Sequence, residues 1–473
     1  VIVNQVIVGD ARHIPLPDGS VHLVVTSPPY WSLRDYGVAP SVWGGDDPEC
    51  RHEWGSSVRS VGGQGGRSDK QESNAGSRWD ASSGQFCRHC GAWLGCLGLE
   101  PDFRLFITHI VEVMREVRRV LRADGVCALN LGSSYATGAK EAAGPRPKSN
   151  LLIPHRVAIA LEDDGWIVRQ DVPALKRAAM PESVGDRFTT AHEYIFHLTK
   201  EPSYWWDADA IRRAHLPQSI ERSRYAWHYS EAWTSGAYPH GGGMSGMVLG
   251  AVGRNFRTTD LVLDEHGEPL VYLWHPEPFS GAHFSTFPCG LVEPWIKAAC
   301  PPKCCPTCGR GWIRVVLQGE PVREWQRACG SDHFGRYRGS AVKEYQGTGA
   351  QDASDVKRRI LAGMRERTSY WQPQCAHHGA YPFIGLAWWK AWHFVDPSGS
   401  LQEDVPTIPG LAVDPFAGSG TVGIVAARLG RRFVGVEVKR EYAVMAQERI
   451  GREGFAVSDK PRSDGGYTQP ALF

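Results

Sequence analysis

No apolar run in this 473-residue chain reaches the length of a membrane span. The first residues, VIVNQVIVGD, carry neither the charged segment nor the cleavage site of a secretory leader. Charge of one sign is also missing: 52 Lys and Arg stand against 51 Asp and Glu, a net of +1, so a nucleic-acid surface has to be a local patch. No repeat of fixed period is present. These absences exclude a membrane-spanning protein and a globally basic one, and they predict a soluble cytoplasmic protein. The chain does have 12 cysteines, several in CxxC pairs, which fit metal sites better than a disulfide framework.

Apolar periodicity predicts alternating strands and helices. VHLVVT (21–26) reads as a buried strand, residues 102–125 as a helix ending at a Gly, and VCALNLG (126–132) as the next strand. LLIPHRVAIALEDDG, WIVRQDV and HEYIFHLTK continue the alternation to residue 200, and it resumes with LAVDPFAGSGTVGIVAARLGRRFVGVEV (411–438). This pattern predicts an α/β fold with a doubly wound, mostly parallel sheet. The Gly/Ser/Arg-rich stretch 55–85 and the segment 138–150 read as loops.

Two stretches carry chemistry. In DPFAGSGTVG, Gly418, Gly420 and Gly423 match GxGxxG between a strand and a helix, and Glu437 ends the following strand, where a carboxylate can take ribose hydroxyls. No Lys follows the glycines, which excludes a phosphate-binding P-loop. Asp414-Pro415-Phe416-Ala417 separates the strand from the first glycine, and an acid there suits a cofactor with a cationic amino-acid end better than a pyrophosphate. The second stretch, Thr26-Ser27-Pro28-Pro29-Tyr30-Trp31, leaves a buried strand through two prolines, which makes a rigid turn.

DPFAGSGT together with TSPPYW resembles the amino-methyltransferases of DNA, in the β arrangement where the catalytic motif precedes the cofactor motif. GDARHIPLPDGSVHLVVTSPPYW, LNLGSSY, MPESVGDRF, AHEYIFHLTK and HFSTFPCGLVEPWI resemble stretches of the phage and bacterial members. The resemblance covers most of the chain outside 205–275 and 310–370. It implies a circularly permuted, Rossmann-like methyltransferase sheet, with the TSPPYW strand beside the glycine-loop strand, and S-adenosylmethionine as cofactor. An exocyclic base amine is a poor nucleophile, because its lone pair is delocalised into the ring. Ser27 Oγ and the Pro28 carbonyl would grip its N–H groups, with Pro29 fixing the turn and Tyr30 stacking on a base flipped out of double-stranded DNA.

The resemblance further assigns Asp10 and Ala11 to the cofactor adenine and Glu437 to the ribose. It places Asp414, Pro415, Phe416, Gly418, Ser419, Gly420 and Thr421 around the methionine end, beside Ser27. Phe287, with Ser285 and Thr286, closes the same pocket. Ser27 at the first motif position leans toward N4 of cytosine. Asp is commoner for N6 of adenine, which remains the alternative target. One segment departs from the family's DIIWxKxNxMPES: it reads DVPALKRAAMPES, with Ala174 and Ala178 in place of the Trp and Asn that help hold the base. Trp31 is a candidate substitute. Cys289 follows a Pro, as in cytosine-C5 enzymes, but reads as a small buried residue.

Cys50, His52, Cys87 and Cys90 form one C-x-H and CxxC quartet, and Cys305, Cys308, Cys375 and His377 form another. The knuckle spacing predicts two structural zinc ions. His378, Cys304 and Cys300 are alternative ligands in the second. DNA contact is expected from the Arg-rich, aromatic segments 212–257 and 310–367.

The implied organisation has a catalytic half at 1–205 with a zinc-binding insertion near 44–98, then a target-recognition region at 206–278. The cofactor half comprises 279–300 and 405–455, separated by a basic zinc insertion at 301–404, and 456–473 forms a tail. A cognate restriction endonuclease and a homodimer remain open as partners, and no membrane is involved. Competing readings are a nicotinamide-dependent oxidoreductase, which leaves TSPPYW unexplained, and a non-catalytic zinc-containing DNA-binding protein, which leaves the cofactor loop without a use.

Overall fold

The structure is a computed structural model. It describes residues 4–59, 83–136, 145–176, 182, 184–211, 273–274, 287–318, 367–378, 406–453 and 462–463. Ser285, Thr286, Ala178, most of the 55–85 loop, all of 212–257 and most of 310–367 lie outside the described residues. In chain order the elements are β1 (Gln5–Val8), β2 (Val21–Thr26), β3 (Ser41–Trp43), β4 (Val58–Arg59), β5 (Ser83–Phe86), β6 (Trp93–Gly95), α1 (Phe103–Val120), β7 (Leu121–Leu131), α2 (Ile153–Asp163), β8 (Ile167–Lys176) and β9 (His192–Thr199). There follow β10 (Leu273–Trp274), α3 (Cys289–Ala299), β11 (Ile313–Gln318), β12 (Arg367–Gln372), β13 (Leu411–Asp414), α4 (Thr421–Arg428), β14 (Arg432–Glu437), α5 (Arg440–Arg452) and β15 (Arg462–Ser463).

Nine strands form one sheet in the order β10-β8-β9-β7-β2-β13-β14-β1-β15. All neighbours pair parallel except around β9, which runs antiparallel to β7 and β8. Sequence-distant β2 and β13 lie side by side, Ala412 opposite Leu23 and Val413 opposite Val24. From this pair the chain leaves in opposite directions, β2 toward β7 through α1 and β13 toward β14 through α4. That is the switch point of a doubly wound sheet, and crevices open there at the carboxyl ends of the strands.

Burial explains the composition of the central strands. VHLVVT and LAVD are buried at every position, as expected of parallel strands covered on both faces. Along β14, Val434 and Val436 belong to the same core cluster as Phe106 of α1 and Leu161 of α2. Phe433 faces the other way, against Gly423 of α4 and Ile450 of α5, so close that a side chain at 423 would overlap both. Helix α1 starts where Asp102 accepts the Arg104 amide (2.7 Å). It buries Phe103, Phe106, Ile110, Val113, Met114 and Val117, the i, i+3, i+4 stripe of an amphipathic helix. It ends at Val120 rather than at Gly125, because Leu121 already adopts extended backbone and pairs with Val21. The register shift between Val21 and Leu23 accommodates the intervening residues.

The chain divides into two compact parts. The larger comprises residues 1–207, 257–311 and 407–473, and the smaller 208–256 and 312–406. In the larger part, β3-β6-β5-β4 form a small antiparallel sheet between β2 and α1. In the smaller part, β11 and β12 pair antiparallel over six residues each. No described helix is long and apolar enough to cross a membrane.

Phe106 is fully buried, so Phe106→Ala should lower unfolding free energy by about 3–5 kcal/mol. Asp102→Ala, losing only the helix cap, should cost about 1 kcal/mol. Urea titrations followed by circular dichroism measure both.

Candidate active site

At the β2–β13 switch point a cavity of about 300 Å³ opens. It collects Ser27, Pro28, Pro29 and Tyr30 from one motif and Asp414, Pro415, Phe416, Gly418, Ser419 and Thr421 from the other, with Asp10, Ala11, Phe287 and Glu437. Gly420 is absent from the lining. Gly418 and Gly420 both take left-handed backbone (φ +50° and +80°), a conformation with little cost for glycine.

The two motifs are joined by a buried hydrogen bond, Thr26 Oγ1 donating to Asp414 Oδ1 (2.7 Å). The same oxygen accepts the Phe416 amide (3.0 Å). Burial pushes the Asp414 carboxyl up to about 7 against the opposing pull of those two donors, and Glu437 nearby adds repulsion. Glu437 is itself buried, which raises its pKa, and it accepts the Gly418 and Lys439 amides (both 2.9 Å). Its carboxylate thus ties β14 to the glycine turn. Asp10 is engaged more fully than the sequence suggested: Arg12 donates to both carboxylate oxygens, at 2.6–3.1 Å. The same guanidinium lies 3.9 Å over the Trp43 ring.

Under Ser27 lies a polar cluster that sequence reasoning missed. Ser27 Oγ donates to Tyr30 Oη (3.3 Å), and Tyr30 Oη donates to Glu193 Oε2 (2.8 Å). Asn130 Nδ2 donates to Tyr30 Oη (2.7 Å), Glu193 Oε2 (2.9 Å) and Ser27 Oγ (3.4 Å). Lys176 pairs with the other Glu193 oxygen. The Tyr30 ring lies so close to Gly132 that a Cβ there would sit 2.7 Å from Cε2, so only glycine leaves it room. The sequence signal was a lone Asn in the otherwise apolar VCALNL and a lone acid in HEYIFHL, a strand run that also carries two histidines.

Two sequence expectations are corrected. Trp31 does not line the cavity. It is buried against Phe103, with Nε1 donating to the Glu100 carbonyl (3.0 Å), a partner that holds it in the core. Cys289 is half-buried rather than buried, near Arg428 at the start of α3, and it also lies outside the lining. Ala174 is fully buried on β8, opposite Glu193.

The first Cys/His quartet converges: the ligand atoms of Cys50, His52, Cys87 and Cys90 lie within 4.8 Å of one another. Cys50 and Cys87 sulfurs are 3.8 Å apart, and Cys90 Sγ is 3.4 Å from His52 Nδ1. A tetrahedral ion with bonds of about 2.0–2.3 Å spans ligand pairs about 3.3–3.8 Å apart, so this donor set can hold zinc. The His89 amide points at Cys87 Sγ (3.4 Å), as a knuckle turn requires. The insertion carrying this quartet is tied to the Ser27–Tyr30 turn. The Ser32 amide donates to Gly98 O (2.7 Å), and His109 lies between the rings of Trp43 and Trp93 while bonding to buried Glu100 (3.0 Å). In the larger part, Cys305 and Cys308 flank a turn in which the Gly309 amide donates to the Cys305 carbonyl, and Arg122 holds the Cys308 carbonyl (3.0 Å). In the smaller part, Cys375 and His377 sit at the 3-10 turn Ala376–His378. Cys304 Sγ instead faces His22 (3.4 Å), and Cys300 is fully buried.

The raised Asp414 pKa has a thermodynamic sign. Between about pH 4 and 7 the folded state keeps a proton that the unfolded state releases, so apo-protein stability should fall as pH rises, by at most about 1.4 kcal/mol per unit. In Asp414→Asn the amide oxygen can still accept from Thr26 and Phe416. This variant should lose that slope and be more stable than wild type at pH 8, as urea titrations across the range would read.

Comparison with known proteins agrees with this arrangement. A family model described as DNA methylase matches residues 21–305 and 408–448. The chain is 30% identical over 336 residues to the type II methyltransferase M.Cfr9I of Citrobacter freundii, covering 66% of this chain and 79% of that protein. It is 24% identical over 469 residues to M.SmaI of Serratia marcescens, covering 95% and 91%. Among solved structures, the cytosine-N4-specific PvuII DNA methyltransferase aligns with a TM-score of 0.40 at 12% identity, covering 95% of this chain and 93% of that one. With its central strands, its two motif loops and two thirds of its length inside that match, the chain belongs to the DNA methylase family.

Proposed function

We propose that this DNA methyltransferase moves a methyl group from S-adenosylmethionine to the N4 amine of a cytosine flipped out of double-stranded DNA. The observation that carries the reading is the single cavity in which Ser27-Pro28-Pro29-Tyr30 faces the Asp414–Thr421 loop. The cofactor supplies an electrophilic methyl on a cationic sulfur. Buried Asp414 stands where that cationic end would lie, and Glu437 is the ribose partner. The adenine end falls to Asp10 and Ala11, Asp10 through the acceptor capacity its pairing with Arg12 leaves. Phe287 closes the pocket. Ser27 and the Pro28 carbonyl accept the amine hydrogens, Pro29 keeps the turn rigid, and Tyr30 flanks the base. Ser27, where an Asp would favour adenine, supports N4 of cytosine over N6 of adenine.

The Cys50, His52, Cys87 and Cys90 quartet holds a structural zinc in this reading. Four protein ligands leave no position open for water, so the metal stabilises the small sheet that braces Ser32 and Trp31. For a second zinc the support is sequence spacing, the CxxC of Cys305 and Cys308 and the C-x-H of Cys375 and His377.

Three outcomes are expected. Purified protein incubated with methyl-labelled cofactor and unmethylated plasmid DNA, then digested to nucleosides, should yield N4-methylcytosine by mass spectrometry. N6-methyladenine in its place would reassign the target base, and Ser27→Ala should abolish the product. Glu437→Ala should weaken S-adenosylmethionine binding by about 1–3 kcal/mol in calorimetry, whereas tight NAD binding without it would overturn the cofactor assignment. Elemental analysis should find about two zinc per chain. Cys90→Ser should release one and loosen the 41–95 sheet, because metal binding energy there is also folding energy.

A further inference from the structure

The polar cluster beneath Ser27 has a direction. Glu193 Oε2 accepts from Tyr30 Oη (2.8 Å) and from Asn130 Nδ2 (2.9 Å), while Oε1 pairs with Lys176. Every group these contacts bring to the carboxylate is a donor. The Tyr30 hydroxyl therefore spends its one hydrogen on Glu193 and meets its other neighbours as an acceptor. Those neighbours are Asn130 Nδ2 (2.7 Å) and Ser27 Oγ (3.3 Å). The Ser27 hydrogen is thus drawn toward Tyr30. Turning the Asn130 amide over would set its carbonyl against the Glu193 carboxylate, so that orientation is fixed too. It leaves Asn130 Oδ1 buried with no hydrogen-bond partner among the described residues.

We propose that Glu193 is a positioning residue for methyl transfer: through Tyr30 Oη it commits the Ser27 hydrogen away from the cavity, so that Ser27 Oγ offers lone pairs to the target amine. This rests on the reading of Ser27 as the amine acceptor. Without the carboxylate, Ser27 is free to turn its hydrogen toward an amine that itself needs an acceptor. The same row of oxygens disposes of the proton. As the amine lone pair forms the new N–CH3 bond, the S–CH3 bond breaks with its electron pair staying on sulfur, and the nitrogen becomes cationic. The surplus nitrogen proton passes to Ser27 Oγ, the Ser27 proton to Tyr30 Oη and the Tyr30 proton to Glu193. Serine and tyrosine end neutral, and the carboxyl holds the proton until it is lost to solvent. Tyr30 accordingly has two separable parts, a ring beside the base and a hydroxyl in the row. Lys176 holds the carboxylate in place from its other oxygen.

Single-turnover methyl transfer tests this, with tritiated S-adenosylmethionine and plasmid DNA from a methylase-deficient host. Glu193→Gln is isosteric but must present either an NH2 to donors or a carbonyl in place of a charge. Tyr30→Phe keeps the ring and removes the hydroxyl. Each should slow the transfer step by about 10- to 100-fold, with cofactor affinity by calorimetry unchanged within about two-fold. Because both act through one row, the double variant should be no slower than the slower single. A double variant that loses the product of the two effects, or either single at wild-type rate, overturns the proposal. Should Glu193→Gln fail to fold, Tyr30→Phe alone at wild-type rate does so. Ser27→Ala separates the two readings: inactive Ser27→Ala beside fully active Glu193→Gln removes only the role of Glu193, whereas active Ser27→Ala removes the serine reading on which it rests.

Discussion

One hydrogen bond, Thr26 Oγ1 to Asp414 Oδ1, connects residues 388 positions apart at the ends of two adjacent parallel strands. On one side of it the chain enters Ser27-Pro28-Pro29-Tyr30, and on the other the Asp414–Thr421 turn. Both turns leave the same edge of the sheet, so the cavity exists because β2 and β13 are neighbours in register. Burying a carboxylate this deeply is unfavourable unless donors meet it. Thr26 and the Phe416 amide do so, and the contact that satisfies Asp414 also aligns the two loops.

The same logic recurs around the cavity. Glu437 is buried but takes the Gly418 and Lys439 amides, which couples the end of β14 to the glycine turn. Asp10 is neutralised by Arg12, which lies over Trp43 of the small sheet. Glu193 is met by Lys176, Tyr30 and Asn130. Asp414, Glu437 and Glu193 are each held by a group from another element, so the site inherits the rigidity of the sheet. In a buried polar network the loss of one member leaves its partners unpaired, and the cluster beneath Ser27 is such a network.

The insertion between β2 and α1 has a structural part in this arrangement. Its small sheet supplies Trp43 and Trp93, both against His109, and Gly98 receives the Ser32 amide just after the Ser27–Tyr30 turn. The Cys/His quartet sits at the far side of that sheet, packed with Ala92 and Trp54. A sheet of strands two to four residues long has little core of its own, and cross-linking by a metal is one way such a unit becomes rigid.

Local patterns in the chain make much of this legible. The apolar runs at 21–26 and 411–413 predict buried parallel strands, and the periodicity of 102–125 predicts a helix. DPFAGSG and SPPY identify their own turns, because glycine and proline restrict backbone geometry residue by residue. Spacing alone points to the quartet at Cys50, His52, Cys87 and Cys90. What local pattern cannot supply is partnership at long range. Helix α1 stops at Val120 because Leu121 pairs with Val21, and Trp31 turns into the core because Glu100 waits there. Glu193 and Asn130 are only polar interruptions in strands until the antiparallel pairing of β7 with β9 brings them to Tyr30. Turns and strands are decided by torsions and burial within a few residues, and so the sequence by itself determined them. The polar cluster under Ser27 depends on three strands meeting in one register, and only the tertiary structure decided that.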